Sequence, residues 1–441
     1  MKVYTKSLLK TLFIVVGLFI ASVFVVNTSP FDEKLNPEIT KILQVNPPAP
    51  IEGNAYFAIM GINAPADKSI IETGEQLINR YKKNRANGED DLSSEDYVAI
   101  LGEQQEGDDE WREMYDKCDS FRDTNCLSKM SQFLLSSPLI SDRLTLMMNR
   151  NDKIMRLKTY MNINDISLGT PFPSFAPLMQ LGNIKKARLY NQDDKTEFLN
   201  QIAMEIEFWR LILSEGEMIL DKMIAVAGIR NNLFFLSSSM RMTDFTSEQL
   251  LRISSILSPL TQQQMDIGSS FVSESRTFFK EINKEKGFEL DMLLFQKNAT
   301  NNLYHKYFTQ TNVKLNKLSS SELLKVINNG YQEKLEKQRQ SLISYNPTSL
   351  YNFSGKAAVK SNICVGCWNY TARTHDLNNI FNLVKLQLEL KTVEISNIKQ
   401  AIARSSNNNN YTQKAFTYNP KDNSIGFECL DKNFIACEVR L

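Results

Sequence analysis

The chain has 441 residues, 42% of them hydrophobic and 23% charged, a composition that supports a globular core and excludes a disordered or fibrous protein. Its 51 Lys+Arg balance 50 Asp+Glu, so a formal charge of +1 supplies no field that would draw it to nucleic acid. The length suits one large or two moderate domains.

Lys2, Lys6 and Lys10 precede the uncharged run TLFIVVGLFIASVFVV, residues 11–26. Helped by Leu8 and Leu9, a helix rising about 1.5 Å per residue nearly crosses a hydrocarbon core of about 30 Å here. Basic flanks stay cytoplasmic. Residues 1–10 are therefore expected as a cytoplasmic tail and 11–26 as a signal anchor in the bacterial inner membrane. Everything beyond is expected in the periplasm, and the lipid bilayer is the first expected partner. A cleavable signal peptide is the rival reading, but Ala21 and Ser22 make no clean A-x-A site and apolar residues continue to Val26.

Residues 27–52 hold five prolines and little apolar period, which reads as a Pro-rich stalk. Small and aromatic residues follow in NAYFAIMGINAPAD, 54–67, and IIETGEQLINRYKKN then has helical character. From about residue 108 helices dominate. SLGTPFPSFAP, 167–177, breaks them with three prolines.

The longest helix signal is 194–239. Ile202, Ile206, Trp209, Leu213, Leu220, Ile224, Ala227 and Phe234 form one apolar stripe, and Gly216 and Gly228 mark bends or close helix crossings. Further amphipathic segments cover 262–285, 289–310 and 319–342. A loop is expected at 344–372, then a last long helix from His375 to about 404. The tail, 405–441, alternates apolar and polar residues around NPKDN and reads as a hairpin or three-stranded meander. No internal repeat is evident.

The order and texture of NAYFAIMGINAPAD, the Cys118/Cys126 segment, FWRLILSEGEMILDKMIAVAGIRNNL, LLFQKNATNNLYHKYF and TARTHDLNNIFNLVKLQLEL carry a likeness. It resembles an uncharacterised group of single-anchor envelope proteins of gammaproteobacteria, over nearly the whole chain. The resemblance implies topology and domain extent, with no activity attached, and it implies that the Cys364/Cys367 pair is a local elaboration.

Six cysteines, Cys118, Cys126, Cys364, Cys367, Cys429 and Cys437, all follow the apolar run. An even count in an exported chain points to disulfides, and of 15 complete pairings the economical one joins 118–126, 364–367 and 429–437. ICVGCWNY, 363–370, also has the CxxC spacing of dithiol enzymes. A thioredoxin-type site needs its thiol at a helix start. Here the pair is expected to precede a loop, so a structural staple is the primary reading and a redox pair the lesser one. No second CxxC or Cys/His partner supports zinc.

Only His305 and His375 are available for nucleophilic machinery or a multi-His metal site. His375 and Asp376 are expected at a helix start, where His375 contacts the preceding loop; His305, among aromatics, reads as packing. Glu217 and Asp221 stand at i,i+4 on one expected helix face, where two carboxylates bind a cation or share a proton. Arg210, Lys222 and Arg230 offer the plainer account of a paired face. No phosphate-loop, dinucleotide or metalloprotease motif occurs.

The expected architecture is mainly α: a transmembrane helix, a large helical domain over 53–404 and a small β tail. The expected function is binding, scaffolding or assisting another envelope or exported protein. A carboxylate-based envelope hydrolase is the alternative and a thiol–disulfide protein the third reading. The catalytic residues are unassigned, and no cofactor, metal or nucleic acid is expected.

Overall fold

Helix starts follow the chemistry of the residues in front of them. Ser69, Ser93, Ser141, Asp194 and Thr246 each accept a backbone N–H of the following first turn, at 3.0 to 3.4 Å. The protein is seen as a computed structural model that describes residues 2–44, 50–89, 91–102, 125–136, 141–162, 170–284, 294–343, 350–432 and 437–441. Helices make up most of it, with an N-terminal apolar helix and a three-stranded antiparallel sheet at the C-terminal end. Two compact units divide the chain. One gathers Met1–Val45, Gly268–Leu318 and Lys325–Trp368; the other gathers Asn46–Ile267, Ser319–Leu324 and Asn369–Leu441. The expected helical body 53–404 is thus shared between both units, and the tail 405–441 belongs to the second.

The first unit opens with the Lys2–Val26 helix, whose Ser7–Val26 part has mean hydropathy 2.5 and no buried share. It is long and apolar enough to cross a membrane, as an anchor or a signal sequence would. The described part of the expected stalk is not free chain. The Asn27 side chain donates to the Leu350 carbonyl at 3.1 Å and accepts the Asn352 N–H at 2.8 Å. Asp32 accepts the N–H groups of Asn298 and Ala299 at 2.8 and 3.0 Å. These belong to the start of the Lys297–Tyr304 helix, where unsatisfied donors and the helix dipole favour an anion. Arg276 reaches the Ile42 carbonyl at 2.7 Å, and Ile39 is buried. The segment holds a short helix, Pro37–Ile42, and its polar side chains pin it to distant backbone.

Tyr304 stacks between Phe278 and Phe308, at 3.8 and 4.9 Å between ring centroids. A π-helical turn, His305–Thr309, follows. His305 is buried beside it, its Nε2 2.9 Å from a Glu38 oxygen.

In the second unit, three helices bury much of their length: Ala176–Asn191, Lys195–Glu215 and Ile219–Met242. The single helix expected over 194–239 is two. Gly216 leaves helical geometry at φ −60° and ψ 129°, and a Cβ there would lie 2.7 Å from the Ile212 carbonyl. The break resets the helical phase. Leu220, expected on the buried stripe, is 49% exposed, while Asp221, Lys222, Met223, Ala225 and Val226 turn inward. Gly228 does mark a close crossing: a Cβ there would stand 2.5 Å from the Trp209 ring.

The core of these helices holds a buried ion pair. The Lys186 ammonium donates to Glu205 and, at 2.7 Å, to the Asn232 side-chain oxygen Oδ1. Gln201 donates to the other Glu205 oxygen at 2.9 Å.

The tail is the expected meander. Strand β1 (Thr417–Asn419) pairs antiparallel with β2 (Ser424–Gly426), which pairs with β3 (Glu438–Arg440). Cys429 and Cys437 are joined, with Cα atoms 5.8 Å apart.

Candidate functional site

The Trp368–Leu390 helix carries His375 and Asp376. It starts seven residues before His375, inside the expected loop, and that loop also contains the Phe353–Asn362 helix. It ends at Leu390 instead of near 404, and a separate helix, Ile398–Arg404, follows. His375 and Asp376 therefore sit in the helix body, not at its start, and both are buried.

Asp376 Oδ1 accepts the Tyr411 hydroxyl at 2.6 Å and the Leu430 N–H at 3.0 Å, and its Oδ2 accepts the Asp431 N–H at 3.0 Å. Arg373, one turn earlier, pairs with Asp431 at 2.6 Å. This carboxylate docks the β tail. It also lies with its oxygen within 4.8 Å of Cys429 and Cys437 sulfur, but sulfurs joined in a disulfide offer no thiolate to a metal. His375 Nδ1 lies 2.8 Å from the Ser320 hydroxyl.

Burial pushes Asp376 up from 3.8 to about 6, against the three hydrogen bonds that lower it, and pushes His375 down from 6.5 to about 4. Between pH 4 and 6 the folded chain holds a proton on Asp376 that the unfolded chain releases, so stability from this group grows as pH falls. Below pH 6.5 the unfolded chain protonates His375 while the folded chain resists, so stability from that group is lost as pH falls. The two effects are of similar size and oppose each other. A nearly flat stability profile from pH 7 to 4.5 is expected for the native chain. In His375→Gln stability should rise by about 1–3 kcal/mol over that fall, and in Asp376→Asn it should drop by a similar amount. Urea titrations across the range read both slopes; parallel profiles in all three proteins contradict the assignment.

Glu217 and Asp221 do not share a helix face. Glu217 lies in the connection after Gly216, its N–H donating to Asn162 at 3.1 Å, and Asp221 is in the first turn of the next helix, accepting the Met218 N–H at 3.4 Å. Asp221 is buried, and its charge adds to burial in pushing the phenols of Tyr160 and Tyr56 up. Beside it, burial brings Lys222 down to about 8, and its ammonium donates to the Asp266 carbonyl at 2.7 Å. The arrangement is a buried polar knot around the helix break.

Cys364 and Cys367 are joined, Cα to Cα 5.4 Å, and Cys126 is disulfide-bonded as well; Cys118 lies outside the described residues. The expectation that the CxxC precedes a loop is overturned. Trp368 is the first residue of a helix of 23 residues, so Cys367 stands at its N-terminal end. Cys367 is buried at 4% exposure, and Cys364 is half-buried. Tertiary contact hid this start, since the apolar period becomes clear only from Leu377 onward.

A groove of about 1000 Å3 adjoins the disulfide, wholly within the first unit. Ile327, Ile363, Val365 and Trp368 supply its apolar wall; the last three bracket the two cysteines. The Tyr331–Ser341 helix supplies the other wall with Glu333, Glu336, Lys337 and Arg339. Arg339 holds Glu336 through two bonds of 2.8 Å, which keeps that carboxyl below its usual range. The hydroxyl of Tyr331 and the indole N–H of Trp368, both on lining residues, are buried without a partner among the described residues. From its sequence, NNGYQEKLEKQRQ reads as a plain solvated face; only its position opposite Val365 and Trp368 makes it a groove wall.

No family model matches the chain, and neither a curated protein nor a solved structure is similar to it.

Proposed function

We propose that the protein is a single-pass inner-membrane protein whose periplasmic part binds a segment of another envelope or exported protein. The groove beside Val365 and Trp368 carries this reading. Its apolar wall suits side chains of a bound segment, and its mixed-charge wall suits a polar rim. The apolar Ser7–Val26 helix and the disulfides support the location, since disulfides persist in oxidising compartments. The carboxylate hydrolase draws no support, because Asp376 and Asp221 are committed to tail and backbone contacts.

A photo-crosslinking residue at Gln332, on the groove, should give a discrete adduct in intact envelopes, while one at exposed Leu251 should not. Val365→Arg should reduce the Gln332 adduct by about tenfold, the effect expected of a charge placed in an apolar contact worth about 1.4 kcal/mol. Equal labelling from both positions, insensitive to Val365→Arg, would sink the proposal.

A further inference from the structure

We propose that the Cys364–Cys367 disulfide is a thiol–disulfide exchange centre acting on a cysteine-bearing polypeptide held in the adjoining groove. The inference rests on the binding reading above and adds the chemistry of the bound segment. Three observations converge on it. The pair lies at the N-terminal end of a 23-residue helix, where unsatisfied N–H groups favour a thiolate. The two cysteines differ in exposure, Cys364 half-buried and Cys367 buried. The residues that bracket them, Ile363, Val365 and Trp368, line the groove.

Exposure and helix position assign the two cysteines different roles. A thiolate of the bound polypeptide attacks Cys364 Sγ, forming a mixed disulfide and breaking the Cys364–Cys367 bond. Cys367 departs as the thiolate, favoured by the helix end, because a less basic thiolate leaves faster. A second thiolate of the polypeptide then attacks its own sulfur in the mixed disulfide and expels the Cys364 thiolate. The polypeptide gains a disulfide and loses two electrons; Cys364 and Cys367 gain them and take up two protons from water in place of those the polypeptide released. The pair is restored by the reverse exchange with a disulfide-bearing redox protein. Cys429–Cys437, by contrast, closes the β tail and is no helix-start pair.

The test uses the full chain in its native envelope. Cys367→Ser removes the leaving sulfur and keeps a Cys364 thiol that captures disulfides of the polypeptide. It should accumulate a covalent adduct, cleaved by dithiothreitol, at least about tenfold above Cys364→Ser. In the purified full chain in detergent, equilibrated with reduced and oxidised glutathione, Cys364–Cys367 should reduce at least about tenfold more readily than Cys429–Cys437. That second measurement needs no substitution, so it decides the matter if a serine variant fails to fold. No adduct at Cys364 with the Gln332 photo-adduct retained overturns the exchange chemistry and leaves the binding reading standing. Loss of both overturns both. Equal resistance of the two disulfides to glutathione overturns the exchange centre.

Discussion

Lys186→Met should cost about 3–5 kcal/mol of stability, the range seen when one partner of a buried ion pair is removed. Lys186 is fully buried and Glu205 is 1% exposed, so the carboxylate left behind would have no water to turn to. Burial lowers the Lys186 ammonium, while the Glu205 charge and hydrogen bond act against that. The pair stands at the junction of three helices, with Gln201 and Asn232 as further partners. Lys186→Met with Glu205→Met should recover most of the loss, because two apolar residues of similar volume remove the desolvation problem. Chemical denaturation of the singles and the double reads this directly. Single-variant losses under about 1 kcal/mol would show that water reaches the pair.

Gly74→Ala should cost about 3 kcal/mol, despite the advantage of about 1 kcal/mol that alanine has over glycine inside a helix. The Ala55–Met60 and Ile70–Ala86 helices meet backbone to backbone. A Cβ on Gly74 would lie 1.9 Å from the Phe57 carbonyl oxygen, and one on Gly61 would lie 1.9 Å from the Ile70 carbonyl oxygen. Neither obstacle is a side chain that can rotate away, so the helices must separate. Gln76→Ala, on the exposed side of the same helix, should change stability by less than about 0.5 kcal/mol. A thermal melt that places both variants together would refute the close approach.

Both residues show why the sequence was informative to different depths. Lys186 reads as one more helical lysine, since its partner Glu205 lies in another helix and nothing local pairs them. Gly74 reads as a weak point in a helix, although it is the point that lets two helices touch. Gly216 was legible as a bend, but the phase change it introduces was not. That change exposes Leu220 and takes Glu217 and Asp221 off a common face. Asp376 was visible as a carboxylate beside a histidine, yet its role comes from Tyr411, Leu430 and Asp431, more than 30 residues away.

The candidate site divides in the same way. CxxC spacing singled out Cys364 and Cys367, and nearness in sequence made their pairing legible. The helix start at Trp368 was not legible, because WNYTART lacks an apolar period; its buried members, Thr371, Ala372 and Thr374, are small or polar. The groove was invisible as well, since it needs Tyr331–Ser341 to lie opposite Val365 and Trp368.

By itself the sequence determined the mainly helical class, the apolar N-terminal helix, the 364–367 and 429–437 pairs and the three-stranded tail. Each of these follows from period or spacing within a few neighbouring residues, where backbone geometry alone sets the outcome. Tertiary structure decided the rest: the helix break, the tail-docking role of Asp376, the pinned segment after Val26, and the helix start at Trp368 beside Cys367. Those depend on which distant groups satisfy a buried charge or backbone donor, and that choice is made only when the chain closes on itself.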